Sequence, residues 1–285
     1  MDLAPALLAD VVARLRAAGC VFAEDEAALI AEAADTPDGL DTMVHRRVAG
    51  DPLEHILGWA EFCGLRIPVE PGVFVPRRRT ELLVQEAAAI LGRRRLAGAG
   101  AGAGAGAPDP AGPGAASTVP VVVEMCCGAA GVAAALAHHA GPLELYASDV
   151  DAASVRCAAR TLAPFGGTVV EGDLYDALPT SLRGRVTVLA ANAPYVPTDA
   201  IALMPPEARL HEPLVALDGG PDGLDVQRRV IAGAASWLEP GGHLLVETSV
   251  GQAPATVAAM SAAGLRTRTV RSEELDGTVV VGRRP

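Results

Sequence analysis

The chain has 285 residues, enough for one large domain or for a medium domain with a small companion. Half of the residues are hydrophobic and 20% are charged, so a sizeable core is available, and with 3% aromatics it must be built from Ala, Val and Leu. A formal charge of -11 argues against a nucleic-acid binder, because that affinity comes mostly from phosphate neutralisation by Lys and Arg. All 23 basic residues are Arg, which together with the abundance of Ala, Gly and Pro reflects a GC-rich genome. The five cysteines, Cys20, Cys63, Cys126, Cys127 and Cys157, include no Cys-x-x-Cys pair. No metal site is therefore expected, and a reduced cytoplasmic protein is the simplest reading. The first twenty residues carry Asp2, Asp10, Arg14 and Arg16 at helical spacing, unlike a signal peptide. The apolar stretch Val119–Ala137 contains Pro120, Glu124, Gly128 and Gly131, so it reads as strand, turn and helix and no membrane segment is expected.

In chain order, Leu7, Val11, Val12 and Leu15, then Ala27, Leu29, Ile30 and Ala33, recur at helical spacing, with breaks at Gly19 and at Thr36-Pro37-Asp38-Gly39. Residues 1–60 are expected to form a small helical domain. From Glu61 to Val75 the apolar pattern shortens to Phe62, Leu65, Ile67, Val69, Val73 and Val75, and with Pro71-Gly72 as its turn this predicts a β-hairpin hinge over 61–75. A helix is expected from Thr80. Residues 97–118 are almost wholly Ala, Gly and Pro, have nothing to bury, and predict a flexible insertion.

The remainder of 76–285 alternates strand and helix. Strands are expected at Val119–Met125, Glu144–Ser148, Gly167–Glu171, Arg185–Ala191 and His243–Thr248, and helices at Gly131–His139, Ala152–Ala163, Leu224–Leu238 and Gln252–Ala263. Arg266–Arg271 and Thr278–Gly282 read as a closing strand pair around Asp276-Gly277. Alternating βα units imply a mostly parallel sheet with helices on both faces, and ligands bind beyond the carboxyl ends of its strands.

The first of those ends reads Glu124-Met125-Cys126-Cys127-Gly128-Ala129-Ala130-Gly131. An acid followed by a small-residue turn into a helix suits a nucleoside-type cofactor, since backbone can approach the ligand and the helix start offers free N–H groups to a carboxylate. A purely structural tight turn has the same pattern. Asp149 ends the second strand, where a carboxylate can accept from both ribose hydroxyls, and Asp173 follows the third, placed for an adenine edge. Either acid is also a natural helix cap, but Asp151 is better placed to cap the helix at Ala152, which frees Asp149.

The fourth strand ends in Asn192-Ala193-Pro194-Tyr195. Asn and Pro are turn formers and Tyr an ordinary packing residue, so a bland reading exists. The chemical reading is that an amide NH2 is a poor nucleophile because its lone pair is delocalised. The Asn192 side-chain oxygen and the Ala193 carbonyl can each accept one of its N–H bonds, which aims the nitrogen at a sulfonium methyl while charge develops. Tyr195 would pack on the flat group.

These residues resemble the release-factor glutamine N5-methyltransferases, whose hallmark at this strand end is Asn-Pro-Pro-Tyr. The resemblance extends over nearly the full chain, through Asp51-Pro52-Leu53-Glu54-His55-Ile56-Leu57-Gly58, Glu61-Phe62-Cys63-Gly64, Val73-Phe74-Val75-Pro76-Arg77, Thr80-Glu81, the most specific block Glu212–Leu224, and Glu247 and Gln252. It implies a seven-stranded Rossmann-like class I methyltransferase domain using S-adenosyl-L-methionine, preceded by a helical domain that grips a protein substrate, a peptide chain release factor. By position, Cys126, Cys127, Gly128, Ala129 and Ala130 would form the cofactor loop with Glu124, Asp149 the ribose contact, Asp173 and Leu174 the adenine pocket, and Asn192 to Tyr195 the amide site, with Asn192 touching both cofactor and substrate.

The chain departs from that pattern in three places. Cys126 and Ala130 stand where the family has glycines, so their Cβ atoms are expected to crowd the cofactor or resist a positive φ. Ala193 replaces the first Pro of the hallmark. Arg78 and Arg79 replace a Pro and an acidic residue. These departures point to a divergent paralog. They keep open N-methylation of a small molecule or of adenine, and a non-catalytic interaction protein on the same scaffold.

Overall fold

The computed structural model describes residues 4–102 and 119–285. Its first helices are α1 (Pro5–Ala17), α2 (Ala23–Ala33), α3 (Pro37–Val48) and α4 (Leu53–Leu57). The chain breaks at Gly19, with φ of 94°, and again at Thr36, whose hydroxyl caps α3 by accepting from Gly39 N at 3.1 Å, with Pro37 in the first turn. Val11, Leu15, Ala27, Ile30, Leu40 and Val44 close into a hydrophobic cluster of their own, as the helical spacing requires.

Strands β1 (Trp59–Phe62) and β2 (Leu65–Pro68) pair antiparallel with Phe62 opposite Leu65. The expected hairpin is present, but its turn is Cys63-Gly64 and not Pro71-Gly72. Cys63 and Gly64 have φ of 50° and 75°, the two positive values that a two-residue hairpin loop demands. Pro71 and Gly72 instead occupy a separate turn closed by Val73 N donating to Glu70 O at 3.0 Å. The apolar alternation that resumes at Leu65 and runs on to Val69 hid the earlier turn.

Helix α5 (Glu81–Gly102) runs into the segment expected to be a flexible insertion. The rest of that segment, from 103 to 118, lies outside the described residues. Beyond it come β3 (Val121–Met125), α6 (Gly131–Ala140), β4 (Glu144–Asp149), α7 (Ala152–Leu162), β5 (Thr168–Glu171), β6 (Val186–Ala191), α8 (Pro206–His211), α9 (Leu214–Leu217), α10 (Asp225–Trp237), β7 (Leu238–Glu247), α11 (Ala253–Ala262), β8 (Arg266–Ser272) and β9 (Gly277–Arg283). Strand β7 begins earlier than the apolar pattern indicates, and its register against β6 shifts between Val186 and Val188 to absorb Pro240-Gly241-Gly242.

The seven strands lie in the order β5-β4-β3-β6-β7-β9-β8, parallel from β5 to β7, with β9 antiparallel to both neighbours. Alternate residues of each central strand feed opposite cores. Val122, Val188 and Leu245 meet α5, α6 and α7, while Val123, Leu189 and Leu244 meet α10 and α11. Consecutive strands spread in opposite directions from β3, so the switch point lies between β3 and β6. The registers Met125–Ser148, Met125–Ala191 and Asp149–Glu171 bring the carboxyl ends of four strands to one edge. No helix among the described residues is long and apolar enough to cross a membrane.

Candidate functional site

At that edge opens a cavity of about 660 Å³. Its lining includes Glu124, Cys126, Cys127, Gly128, Ala129, Asp149, Asp173, Leu174, Asn192, Ala193, Pro194 and Tyr195, so both sequence constellations meet in one hollow. Ala130 is the exception. It is 0% exposed, packs in the core at the start of α6 and does not line the cavity.

The loop after β3 is held by its backbone. Cys127 N donates to Ser148 O at 3.1 Å and Ala130 N to Cys127 O at 2.7 Å. Cys126, Gly128 and Ala130 all sit in the left-handed region, with φ of 52°, 51° and 58°. The side chains on Cys126 and Ala130 therefore do not prevent the glycine-type loop; they make it strained. The Cys126 side chain faces the cavity without closing it. Burial drives the thiols of both Cys126 and Cys127 upward, so they remain protonated and unreactive.

Glu124 behaves differently from the expectation at the helix start. Its carboxylate accepts from Val132 N at 3.4 Å and Ala133 N at 2.7 Å, so these donors of α6 are occupied by the protein and not offered to a ligand carboxylate. Burial raises its pKa to about 8, opposed by those two backbone donors. Asp149 accepts from Gly128 N at 2.8 Å through Oδ2 and from Asp151 N at 3.0 Å through Oδ1, which ties β4 to the glycine loop and leaves lone pairs toward the cavity. Its pKa is raised by burial against the same two donors. Asp151 caps α7, accepting from Ser154 N at 2.7 Å. Asp173 pairs with Arg229 at 2.6 Å, and both line the cavity.

On the opposite wall, Asn192 Nδ2 donates to Thr80 Oγ1 at 3.2 Å, which leaves Oδ1 for a ligand. The Ala193 carbonyl accepts no hydrogen bond among the described residues. Tyr195 OH donates to Glu247 Oε1 at 3.3 Å, and burial raises the phenol to about 12. Glu247 is buried at the end of β7. Burial raises its carboxyl, opposed by Thr80, by the Arg79 charge and by Tyr195. Gln252 Nε2 donates to Tyr195 O at 2.9 Å and Asp222 O at 3.0 Å, stitching the turn to the block Glu212–Leu224. Gly219 is required there, since a Cβ would stand 2.7 Å from Pro194 O.

Five residues shape the site although sequence reasoning gave them no role: Arg77, Thr80, Glu212, Glu247 and Gln252. Each lies in a matching block, and only the three-dimensional pairing assigns it a task. Glu212 accepts from Val75 N at 3.4 Å and from Arg77, and its side chain is 1% exposed. A second cavity of about 390 Å³, between α2, α4 and the catalytic side, shares Arg77, Glu207 and Glu212 with the first. Arg47 bridges its walls, bonding Glu26 at 2.6 Å and Glu207 at 2.9 Å.

The cavity suits S-adenosylmethionine. It offers acceptors for ribose hydroxyls and for a cation in Asp149, Asp173 and Asn192, and a buried Ser148 Oγ without a partner on its wall.

No family model matches the chain. It is 34% identical over 224 residues to the release factor glutamine methyltransferase of Geobacter sulfurreducens, covering 78% of this chain and 69% of that protein. It is 34% identical over 204 residues to the 4-amino-L-phenylalanine/4-methylamino-L-phenylalanine methyltransferase of Streptomyces pristinaespiralis, covering 72% and 63%. Among solved structures, a methyltransferase from Pyrococcus furiosus superposes with a TM-score of 0.52 at 13% identity, over 78% of this chain and 89% of that one, a likeness of fold.

Proposed function

The chain belongs to the release factor glutamine methyltransferase family, an S-adenosylmethionine-dependent enzyme of the class I methyltransferase fold, and on that premise we propose that it methylates the side-chain amide of a glutamine in a peptide chain release factor. The observation that carries this reading is the shared cavity, in which the Asn192–Tyr195 corner faces the loop after β3.

S-adenosylmethionine, when bound, supplies a methyl group activated on a sulfonium. Cys126 to Ala129, Asp149 and Leu174 would hold it. Asn192 Oδ1 and the Ala193 carbonyl accept the two N–H bonds of the acceptor, turn its lone pair outward and oppose delocalisation into the carbonyl. Thr80 fixes the Asn192 amide in the accepting orientation. Tyr195, held by Glu247 and Gln252, forms the flat wall. A methylated, cationic nitrogen loses its proton readily, so the site needs no strong base.

In this reading residues 1–60 form the substrate-gripping domain, 61–75 the hinge and 76–285 the methyltransferase domain. The second cavity, open between the helices and Arg77, Glu207 and Glu212, supports a polypeptide entering from that side. Five cysteines without a disulfide are consistent with a cytoplasmic enzyme. A non-catalytic scaffold is disfavoured because the two thiols leave the hollow open. The test is incubation of the full chain with labelled cofactor and a purified release factor, then peptide mass spectrometry. A methyl group on one glutamine supports the reading, and an unmodified release factor beside another labelled acceptor rejects it.

A second reading, N-methylation of a small amino acid bearing an amino group, is favoured by the similarity to the Streptomyces pristinaespiralis enzyme and by Arg79 and Glu212 in the lining of the cavity.

A further inference from the structure

Two charged groups on the acceptor side of the cavity have unused bonding capacity. Arg79 lines it and is solvent-exposed, yet among the described residues its guanidinium makes no hydrogen bond or ion pair. Its neighbours are committed: Arg77 pairs with Glu212 and lies 5.2 Å over the Phe74 ring, and Arg78 reaches Glu274 at 3.9 Å. Glu212 is the second group. Its Oε1 accepts from Val75 N and Arg77, while Oε2 is buried and has no partner.

A buried carboxylate oxygen without a donor is costly unless a ligand supplies the N–H. An arginine fork without a partner at the mouth of a cavity is matched by a carboxylate. The Arg79 charge also extends inward, where it acts against the burial that raises Tyr195 and Glu247. A cation and a hydrogen-bond acceptor in one hollow are complementary to a zwitterion, whereas a peptide-bound glutamine carries neither a free α-carboxylate nor an α-ammonium.

We propose that Arg79 and Glu212 form an amino-acid subsite, in which Arg79 takes the α-carboxylate of the acceptor and Glu212 Oε2 takes its α-ammonium, so that the enzyme also methylates a free α-amino acid carrying its reactive nitrogen on the side chain. Arg79 is a specificity residue here, and Asn192 to Tyr195 remain the groups that hold the reacting nitrogen. The proposal rests on the chain being an N-methyltransferase and is independent of the release-factor substrate.

The test uses the full chain, labelled S-adenosylmethionine and three acceptors: 4-amino-L-phenylalanine, its decarboxylated analogue 4-(2-aminoethyl)aniline, and a release-factor peptide containing glutamine. The subsite predicts methylation of the amino acid, with a KM about tenfold below that of the decarboxylated analogue, as for one charge-assisted hydrogen bond. Arg79→Gln abolishes this difference while leaving cofactor affinity unchanged, and Arg79→Lys restores part of it. Equal KM values for the two amines, or a ratio that survives Arg79→Gln, overturn the subsite. Methylation of the peptide alone overturns it while upholding the release-factor reading. Absence of cofactor binding by titration calorimetry overturns both.

Discussion

The Asn192 side-chain amide donates to the Thr80 hydroxyl at 3.2 Å, so a residue just before α5 sets the orientation of the residue that ends β6. Thr80 is buried, and its hydroxyl also acts on Glu247, which in turn receives the Tyr195 hydroxyl. The acceptor corner is thus aimed by groups distant in sequence.

Thr80→Val keeps the shape and removes the hydroxyl. It leaves Asn192 Nδ2 without an acceptor, at a cost of about 1–3 kcal/mol, and frees the amide to turn over. We expect kcat to fall about tenfold or more with cofactor affinity unchanged, and Thr80→Ser to recover it. Steady-state kinetics beside calorimetric cofactor titration check this, and an unaltered kcat in the valine variant contradicts it.

Asp149→Ala removes both a ligand acceptor and the clamp on Gly128 N. Cofactor affinity should weaken by about 1–3 kcal/mol. An unchanged dissociation constant by titration calorimetry rejects the ribose role.

Cys126→Gly tests the strained loop. Left-handed φ costs a residue with a Cβ about 1–2 kcal/mol, against about 0.5–1 kcal/mol of extra chain entropy for glycine. The melting temperature should hold or rise and cofactor affinity should not fall. Cys126→Val, β-branched at the same φ, should lower both. A glycine variant less stable than the valine variant refutes the strain.

Glu124 gives a pH signature. Its folded pKa, about 8, lies above the ordinary 4.5, so the folded state binds more protons than the unfolded chain between these values. The contribution is fully present below about 4.5 and is lost as pH rises through about 8. Cofactor-free melting temperatures should therefore decline from pH 6 to pH 8.5, and Glu124→Gln should flatten that decline. Parallel curves for the two proteins would exclude the assignment.

Arg47→Met cuts the bridge between α2 and the segment bearing Glu207. Glu26 is left nearly buried without its cation, while Glu207 stays about half exposed, so a loss of about 2–3 kcal/mol is expected, below that for a fully buried pair. If the helical region grips the acceptor, acceptor KM rises while the cofactor dissociation constant stays put. Hydrogen exchange should quicken around α8.

Much of this architecture is visible in the residues. Alternating Val-rich runs and amphipathic helices located the strands from β3 to β9 and helices α6, α7, α10 and α11 within a few positions, because the period of a buried parallel strand differs sharply from that of a helix, but not the short α8 and α9. The hairpin turn was harder, since Cys63-Gly64 interrupts an apolar alternation that continues past it. The chemistry of the site divides in the same way. Acids and the Asn192–Tyr195 turn sit at strand ends, where position alone signals a ligand. Thr80, Arg77, Glu212 and Gln252 act through partners 57 to 135 positions away, a relation that no local pattern carries. Glu124 reads as a ligand residue and does line the cavity, but its carboxyl also accepts from the first turns of α6, because the distance from β3 to the start of α6 is short enough for the side chain to close.

The central claim is that Asn192 holds the acceptor nitrogen. Its most direct test is a single-turnover methyl-transfer assay of wild type and Asn192→Ala with saturating labelled cofactor and release factor, read by mass spectrometry of the acceptor. The account predicts that the variant folds, still binds S-adenosylmethionine, and transfers no methyl group. Wild-type transfer by Asn192→Ala would contradict it.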